Sequence, residues 1–162
     1  FRLRSGAADG ADAAFERGAA RAGDAGEIHL AWKGFNQHPS PLFGVCEQAL
    51  AMASTLHPAW DMLGQGPRKL HARNCYQVLG RTLDTPCVLT VCWTPDGCES
   101  EKTRSRKTGG TGTAIALSER HGVPVYNLQK TASRKALNEW MAARGIDYAL
   151  PLELPPAQSA LF

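Results

Sequence analysis

Short apolar runs alternate along this chain with longer segments in which apolar residues recur every three or four positions. The short runs have the length and composition of buried strands, and they lie at 1–4, 27–32, 87–93 and 123–128. The longer segments have the period of amphipathic helices, and they lie at 13–22, 45–56, 67–79, 114–120 and 134–144. Because strands and helices alternate, the pattern predicts an α/β protein with a mostly parallel sheet.

A glycine-rich turn at 108–113 joins the third strand to a helix, and the fourth strand follows, which is the order of a βαβ unit. Glycines let the backbone turn tightly, and the first turn of a helix offers unpaired N–H groups to an anion. A tight turn without a ligand is the alternative. We expect a phosphate site formed by Gly109, Gly110, Thr111, Gly112 and Thr113.

A second glycine-rich turn, at 5–12, follows the first strand and leads into an alanine-rich helix that Asp9 or Asp12 would cap. Ser5, Gly6 and Gly10 are its candidate phosphate contacts. Ligands of open α/β sheets bind beyond the carboxyl ends of the strands. We therefore expect a Rossmann-like three-layer sandwich in which both turns and the start of the 67–79 helix border one crevice.

The start of the 67–79 helix carries several hydrogen-bond donors, namely Arg68, Lys69, His71 and Arg73. Arg73 is either a solvated surface residue or a donor to a phosphate or carboxylate group, and it could act together with its neighbours. The segment at 98–108 contains almost no apolar residues and predicts a mobile, exposed loop or hairpin arm. The basic residues of this segment are Lys102, Arg104, Arg106 and Lys107. They would either bind a nucleic-acid backbone or form only a solvated surface.

Composition indicates the class of protein to which the chain belongs. The hydrophobic share of 43%, the charged share of 20% and the net charge of +3 are ordinary for a soluble globular protein, and they permit an anionic partner. No apolar run reaches the ~18 residues of a membrane span. The five cysteines lack paired spacing, so we expect reduced thiols, no metal site and a cytoplasmic location.

The ends of the chain give three further expectations. The strand-like start at Phe1 predicts that an earlier strand and helix precede it. Thr131 or Ser133 should cap the last helix. The apolar stripe of this helix should consist of Ala136, Leu137, Trp140 and Met141. The domain should span 1–145, and the proline-containing tail at 146–162 should pack on the body or on a neighbouring subunit.

Three motifs resemble those of the SLOG superfamily, and in particular the DNA-processing protein A (DprA/Smf) family. The 5–12 turn is similar to the S-G-G-A-x-G-A-D motif of that family. Gly66-Pro67-Arg68, together with Arg73-Asn74, is similar to its G-P-x-R-N helix start, and the 109–113 turn is similar to its G-G-x-G-T turn. The small DprA-like proteins of bacteriophages are similar in kind. The resemblance covers roughly 1–130 and implies a protein without a cofactor that binds a nucleotide or single-stranded DNA and forms a homodimer or a higher homo-oligomer. It also implies that Asn74 joins Arg73 and the two turns at the ligand, and that a strand with a G-S-R-like motif lies upstream of Phe1.

Two other functions remain open. The LOG phosphoribohydrolases, a related branch, cleave the N-glycosidic bond of nucleoside monophosphates and carry G-G-x-G-T-x-E-E. Ile115 and Ala116 occupy the glutamate positions here, although Asp9, Asp12 or Asp96 could supply a carboxylate. The remaining alternative is a non-catalytic structural or interaction protein that keeps the fold.

Overall fold

The structure is a computed structural model, and it describes residues 1–153 of the chain. As the sequence predicts, this part has a mixed α/β fold. Its strands are β1 (Arg4–Ser5), β2 (Glu27–Ile28), β3 (Thr90–Cys92) and β4 (Val125–Asn127). Its α-helices are α1 (Ala11–Arg21), α2 (Glu47–Ser54), α3 (Gln65–Leu79), α4 (Thr111–Arg120) and α5 (Thr131–Ala142).

The strands form two separate parallel pairs. Ser5 of β1 lies opposite Ile28 of β2, and Val91 of β3 lies opposite Tyr126 of β4. An isolated parallel bridge between Leu30 and Phe43 extends the first pair. Within residues 1–153 no strand pairing joins the two sheets. The predicted parallel pairing is therefore present, although it does not form one continuous sheet.

The main hydrophobic core lies where α2, α3 and α4 pack against one another. The second half of helix α3 is buried over most of its circumference. The core includes Ala49, Ala53, Leu56, Ala72, Cys75, Tyr76, Leu79 and Ala116. Burial raises the pKa of the Cys75 thiol to about 12. All five cysteines are free, as the sequence predicts.

The helix caps expected from the sequence are wrong. Gly10 precedes α1 without a side-chain cap, and Asp12 instead accepts a hydrogen bond from the backbone N–H of Ala8 at 3.2 Å. Lys130 precedes α5, again without a side-chain cap, and the Ser133 hydroxyl donates to Glu99. Of the four side chains predicted as caps, Asp12 also pairs with Arg73 of α3 and Ser133 bonds Glu99, contacts that local sequence does not reveal.

The segment after β3 is largely exposed, as expected, but it is folded onto the body and does not form a hairpin arm. It forms two 3-10 turns, Glu101–Thr103 and Arg106–Thr108. The Asp96 carboxylate accepts hydrogen bonds from the hydroxyls of Ser105 and Thr108, each at 2.6 Å, and from Thr94 at 2.8 Å. Although desolvation opposes the charged form, these bonds hold the pKa of Asp96 well below its usual range.

The residues after α5 pack along that helix, as expected for the start of the tail. The backbone N–H of Leu150 donates to Asn138 Oδ1 at 2.7 Å, and Asn138 Nδ2 donates back to the Leu150 carbonyl at 3.0 Å. The buried Arg134 guanidinium donates to the Leu152 carbonyl. The rest of the predicted tail, 154–162, lies outside the described residues. Over residues 1–153, no helix combines the length and the hydropathy that crossing a membrane requires.

Candidate functional site

One cavity of about 1160 Å³ brings together the three regions that the sequence predicts to share a crevice. Its lining includes residues of the first glycine turn, the middle of α3 and the second glycine turn: Asp9, Gly10, His71, Arg73, Gly110 and Thr111. These regions are far apart in the sequence. The packing of α3 against β1 and against α4 brings them together.

The second glycine turn presents the start of α4 to this cavity. Gly109 has a φ of +60°, which glycine adopts readily, and Gly110 precedes the helix without a side-chain cap. Asn74 Nδ2 donates to the Gly110 carbonyl at 2.9 Å, which fixes the turn against α3. Gly109 and Gly110 are exposed, whereas Asn74 is buried. The uncapped helix start favours an anion at this position.

Two of the predicted phosphate ligands, Thr113 and Gly112, are buried and contact other residues of the protein. The buried hydroxyl of Thr113 lies 2.7 Å from His71 Nδ1, so it is already used in a hydrogen bond. Gly112 is buried against Arg104, whose Cδ would lie 3.0 Å from a β-carbon at residue 112. The surface open to a ligand is therefore Gly109, Gly110 and Thr111.

Arg73 is buried, with only 5% of its surface exposed, so a solvated surface arginine is wrong. Its Nη1 donates to Gln77 Oε1 at 3.0 Å and to Asp12 Oδ2 at 3.3 Å, and its Nε has no hydrogen-bond partner among the described residues. Burial lowers the pKa of Arg73, and the neighbouring Asp12 charge opposes that shift. A buried guanidinium that is only partly paired attracts a further anion.

The first glycine turn is closed by the protein's own carboxylates. Ser5 Oγ donates to Glu16 Oε1 at 2.6 Å, and the backbone N–H of Ala7 donates to the same oxygen at 3.0 Å. Asp12 similarly accepts from Ala8. A phosphate here would meet two negative charges, so Ser5 and Gly6 support the cavity wall; Gly10 remains exposed at the cavity. No local sequence signal pairs Ser5 with Glu16.

The pairing of His71 with His57 beside the second turn was not expected from the sequence, which indicated His71 only as a hydrogen-bond donor. The ring centroids of His57 and His71 are 4.4 Å apart. Burial, together with the charges of His57 and Arg73, lowers the pKa of His71 to about 4. His71 is therefore neutral at pH 7, and it supports Thr113 by hydrogen bonding rather than by charge.

The four basic residues of the 98–108 segment separate into two groups. Arg104 turns inward, and its Nη1 donates to the Leu56 carbonyl at 2.7 Å. The other three, Lys102, Arg106 and Lys107, have exposed side chains. Lys107 and Arg106 come directly before the turn at Gly109, so they add positive charge beside the uncapped start of α4.

Of the three carboxylates that could serve a hydrolase, Asp12 and Asp96 have other partners, whereas Asp9 is exposed at the cavity. Ile115 and Ala116 are fully buried in place of the glutamates of the hydrolase motif. Asp96 is held by three hydroxyl groups, and Asp12 pairs with Arg73. No group of three potential metal ligands occurs among residues 1–153.

No protein-family model, curated protein or solved structure matches this chain. The resemblance to the SLOG superfamily therefore depends on the three motifs quoted above.

Proposed function

We propose that this protein binds the phosphate of a nucleotide, free or within single-stranded nucleic acid, at the turn formed by Gly109, Gly110 and Thr111. The observation that carries the proposal is that the uncapped start of α4 and the buried Arg73 border the same cavity. The protein would then be a DprA-like member of the SLOG superfamily, with a Rossmann-like sandwich and, by the same resemblance, a homodimeric or higher assembly.

The chemistry of the turn favours a phosphate over a neutral ligand. An anion at a helix start gains roughly 0.3–1 kcal/mol from the helix dipole, and hydrogen bonds to a charged group add about 1.5–3 kcal/mol each. Arg73 supplies a guanidinium in low-dielectric surroundings, where its interaction with an anion is stronger than in water. Lys107 supplies a second cation from the solvent side.

Apolar side chains beside the phosphate turn support a nucleotide rather than inorganic phosphate. Phe15, Phe35 and Leu70 border the same cavity. Phe35 is held by an edge-on contact with Trp32, with ring centroids 5.0 Å apart, and lies under the Arg73 guanidinium at 5.9 Å. Aromatic rings of this kind stack with nucleobases at about 1–3 kcal/mol per base.

The first experiment compares a nucleoside 5′-monophosphate with the corresponding nucleoside by thermal unfolding and calorimetric titration. The monophosphate should stabilise the protein by about 2.7 kcal/mol at a hundredfold excess over Kd, and the nucleoside at the same concentration should stabilise it less. Lys107→Gln should weaken binding, whereas Lys135→Gln on the exposed part of α5 is the matched control. Equal responses to nucleoside and monophosphate, or none, would contradict the phosphate site.

The second experiment decides between a free nucleotide and a strand. A labelled single-stranded oligonucleotide is titrated at increasing salt, and log K should fall by a slope of about −0.7 for each phosphate neutralised. Arg106→Gln and Lys107→Gln should each lower that slope by about one contact. Tight mononucleotide binding with no oligonucleotide affinity would restrict the function to a free nucleotide.

A further inference from the structure

A second cavity, of about 650 Å³, lies along the first pair of strands. Its wall comes from β1, β2, the segment at 38–42 and the turn that follows α3, and it includes Arg4, Glu27, His29, His38 and Arg81. His29, His38 and Arg81 border this cavity and not the larger one, whereas Arg4 and Glu27 border both. A volume of this size accommodates a small molecule.

Positive charge predominates around the second cavity. Its border contains three arginines, Arg2, Arg4 and Arg81, and one carboxylate, that of Glu27. Glu27 Oε2 accepts a hydrogen bond from Arg4 Nε at 2.9 Å, so this carboxylate is already used. The ion pairs that Arg2 forms with Glu27 and Asp24 are long, at 3.9 Å each. The arginine and glutamate side chains at the border therefore leave an excess of two positive charges.

Arg81 is a positioned cation whose hydrogen bonds go to neutral groups. Its Nη1 and Nη2 donate to the carbonyl groups of Gly44 and Phe43 at 3.4 and 3.3 Å, which is beyond the usual length of such bonds. Its Cζ lies 5.2 Å from the ring centroid of Tyr76. This cation–π contact orients the guanidinium without neutralising it. The charge of Arg81 therefore remains available to an anion in the cavity.

His29 is a buried polar group at the same cavity. Only 1% of its surface is exposed, and neither ring nitrogen has a hydrogen-bond partner among residues 1–153. Its Nε2 lies 4.0 Å from Glu27 Oε2, beyond hydrogen-bond distance. Burial lowers the pKa of His29 to about 4 against the opposing charge of Glu27, so the ring is neutral at pH 7 and carries one N–H donor. A buried donor without an acceptor is unfavourable, and a bound ion is one explanation for it.

We propose that the second cavity binds a phosphate group, which accepts hydrogen bonds from the Arg81 guanidinium and from the ring N–H of His29. A guanidinium presents its N–H donors in a planar fork that matches phosphate oxygens. The excess of two positive charges matches a phosphate monoester, which carries about −1.5 to −2 charges at pH 7. A monocarboxylate would leave part of this charge uncompensated, and a metal cation would be repelled by it.

This site is separate from the phosphate turn of the proposed function. Gly110 and Thr111 border only the larger cavity, whereas His29 and Arg81 border only the second one. Binding at one site therefore uses none of these residues of the other. The two sites are distinguished by following the backbone amides of each of them during a single titration.

The test is a titration of the full chain with inorganic phosphate, followed by the ¹H–¹⁵N NMR signals of the backbone amides at constant ionic strength. The amides of His29, Gly80 and Arg81 should shift and saturate. Arg81→Gln and His29→Leu each remove a donor to a charged group, so each should weaken this binding by about tenfold or more. Arg17→Gln, at an exposed position of α1 that borders neither cavity, is the matched control and should bind as the parent chain does.

Three outcomes would overturn the proposal. Shifts confined to residues 109–111 would show that only the phosphate turn binds the anion. Equal shifts with sodium chloride alone would show a general effect of salt, and equally tight binding of succinate would show a site for carboxylates. Lys107→Gln, which weakens the phosphate turn, should leave the shifts at His29 unchanged, so failure of either site is seen separately. A parallel titration with glycerol 3-phosphate identifies the source of the group, because tighter binding than inorganic phosphate supports a phosphorylated small molecule, and equal binding supports free phosphate.

Discussion

The guanidinium of Arg73 lies where the side chain of residue 6 would begin. A β-carbon on Gly6 would fall 1.3 Å from Arg73 Nη1 and 2.2 Å from Cζ. Since Arg73 belongs to α3 and also pairs with Asp12 of α1, the absence of a side chain at Gly6 allows the turn after β1, α1 and α3 to meet. The wall of the candidate site depends on this contact.

Gly6→Ala should therefore lower the free energy of unfolding. The added methyl displaces Arg73, at about 1–3 kcal/mol for overpacking, and the disturbed pair with Asp12 adds to that cost. Urea denaturation measures the change.

Gly18→Ala is the control for this prediction. Gly18 lies inside α1, and nothing lies within 4 Å of a β-carbon added there. Alanine should stabilise this helix position by roughly 0.5–1 kcal/mol. If Gly6→Ala were as stable as the parent chain, the close packing of Arg73 against residue 6 would be incorrect.

His29 should make stability depend on pH. It is 1% exposed, and neither ring nitrogen has a hydrogen-bond partner among the described residues. Burial lowers its pKa to about 4; Glu27 opposes this shift, while Arg81, Arg4 and Arg73 reinforce it. The unfolded chain binds the proton near pH 6.5 and the folded protein does not. Stability is therefore complete above pH 6.5 and decreases by about 3 kcal/mol as the pH falls to about 4.

Urea midpoints between pH 7.5 and 4.5 measure this effect. The carboxyl groups with lowered pKa values have ordinary pKa values of 3.8 and 4.5, so they add to the loss of stability only at the lower limit of this window. His29→Leu should reduce the pH slope, while His71, whose pKa is also about 4, maintains part of it. His121→Gln, at an exposed position, should leave the slope unchanged. An unchanged slope in His29→Leu would show that His29 is not buried in its neutral form.

Asp96→Asn should loosen the segment that precedes the phosphate turn. The carboxylate accepts three hydroxyl hydrogen bonds, and an amide cannot replace all of them, so a loss of about 1–3 kcal/mol is expected. Hydrogen exchange of residues 105–108 should accelerate. Asp147→Asn, at an exposed position, is the control. Unchanged exchange would mean that the two 3-10 turns are held by other contacts.

Arg134→Met should release the residues after α5. The guanidinium bonds the carbonyl groups of Leu128 and Leu152, so its loss leaves 146–153 without this attachment. Trypsin cleavage at the exposed Arg144 should then accelerate, by about tenfold for each 1.4 kcal/mol lost. Lys135→Met is the control at the neighbouring exposed position. Equal cleavage rates in the two variants would contradict the attachment.

The sequence was sufficient for the order and type of the elements, because periodicity and glycine turns are local properties. The helix expected at 67–79 is observed at Gln65–Leu79, and the strand expected at 123–128 at Val125–Asn127. The strands are shorter than the sequence predicts, because the strand expected at 87–93 is observed only at Thr90–Cys92. Strand length depends on partners across the sheet, and within residues 1–153 β3 pairs only with β4.

Only the tertiary structure decided which polar groups are open to a ligand. Arg104 and Arg106 have the same charge and lie two residues apart, yet the Leu56 carbonyl, distant in the sequence, binds the first and leaves the second exposed. Arg73 is buried because the second half of α3 is covered on nearly every side. The sequence of this helix therefore shows no separate polar face from which the burial of Arg73 could be predicted. Local pattern reports the average exposure to water of a segment, whereas a particular hydrogen-bond partner depends on which distant residues pack against it.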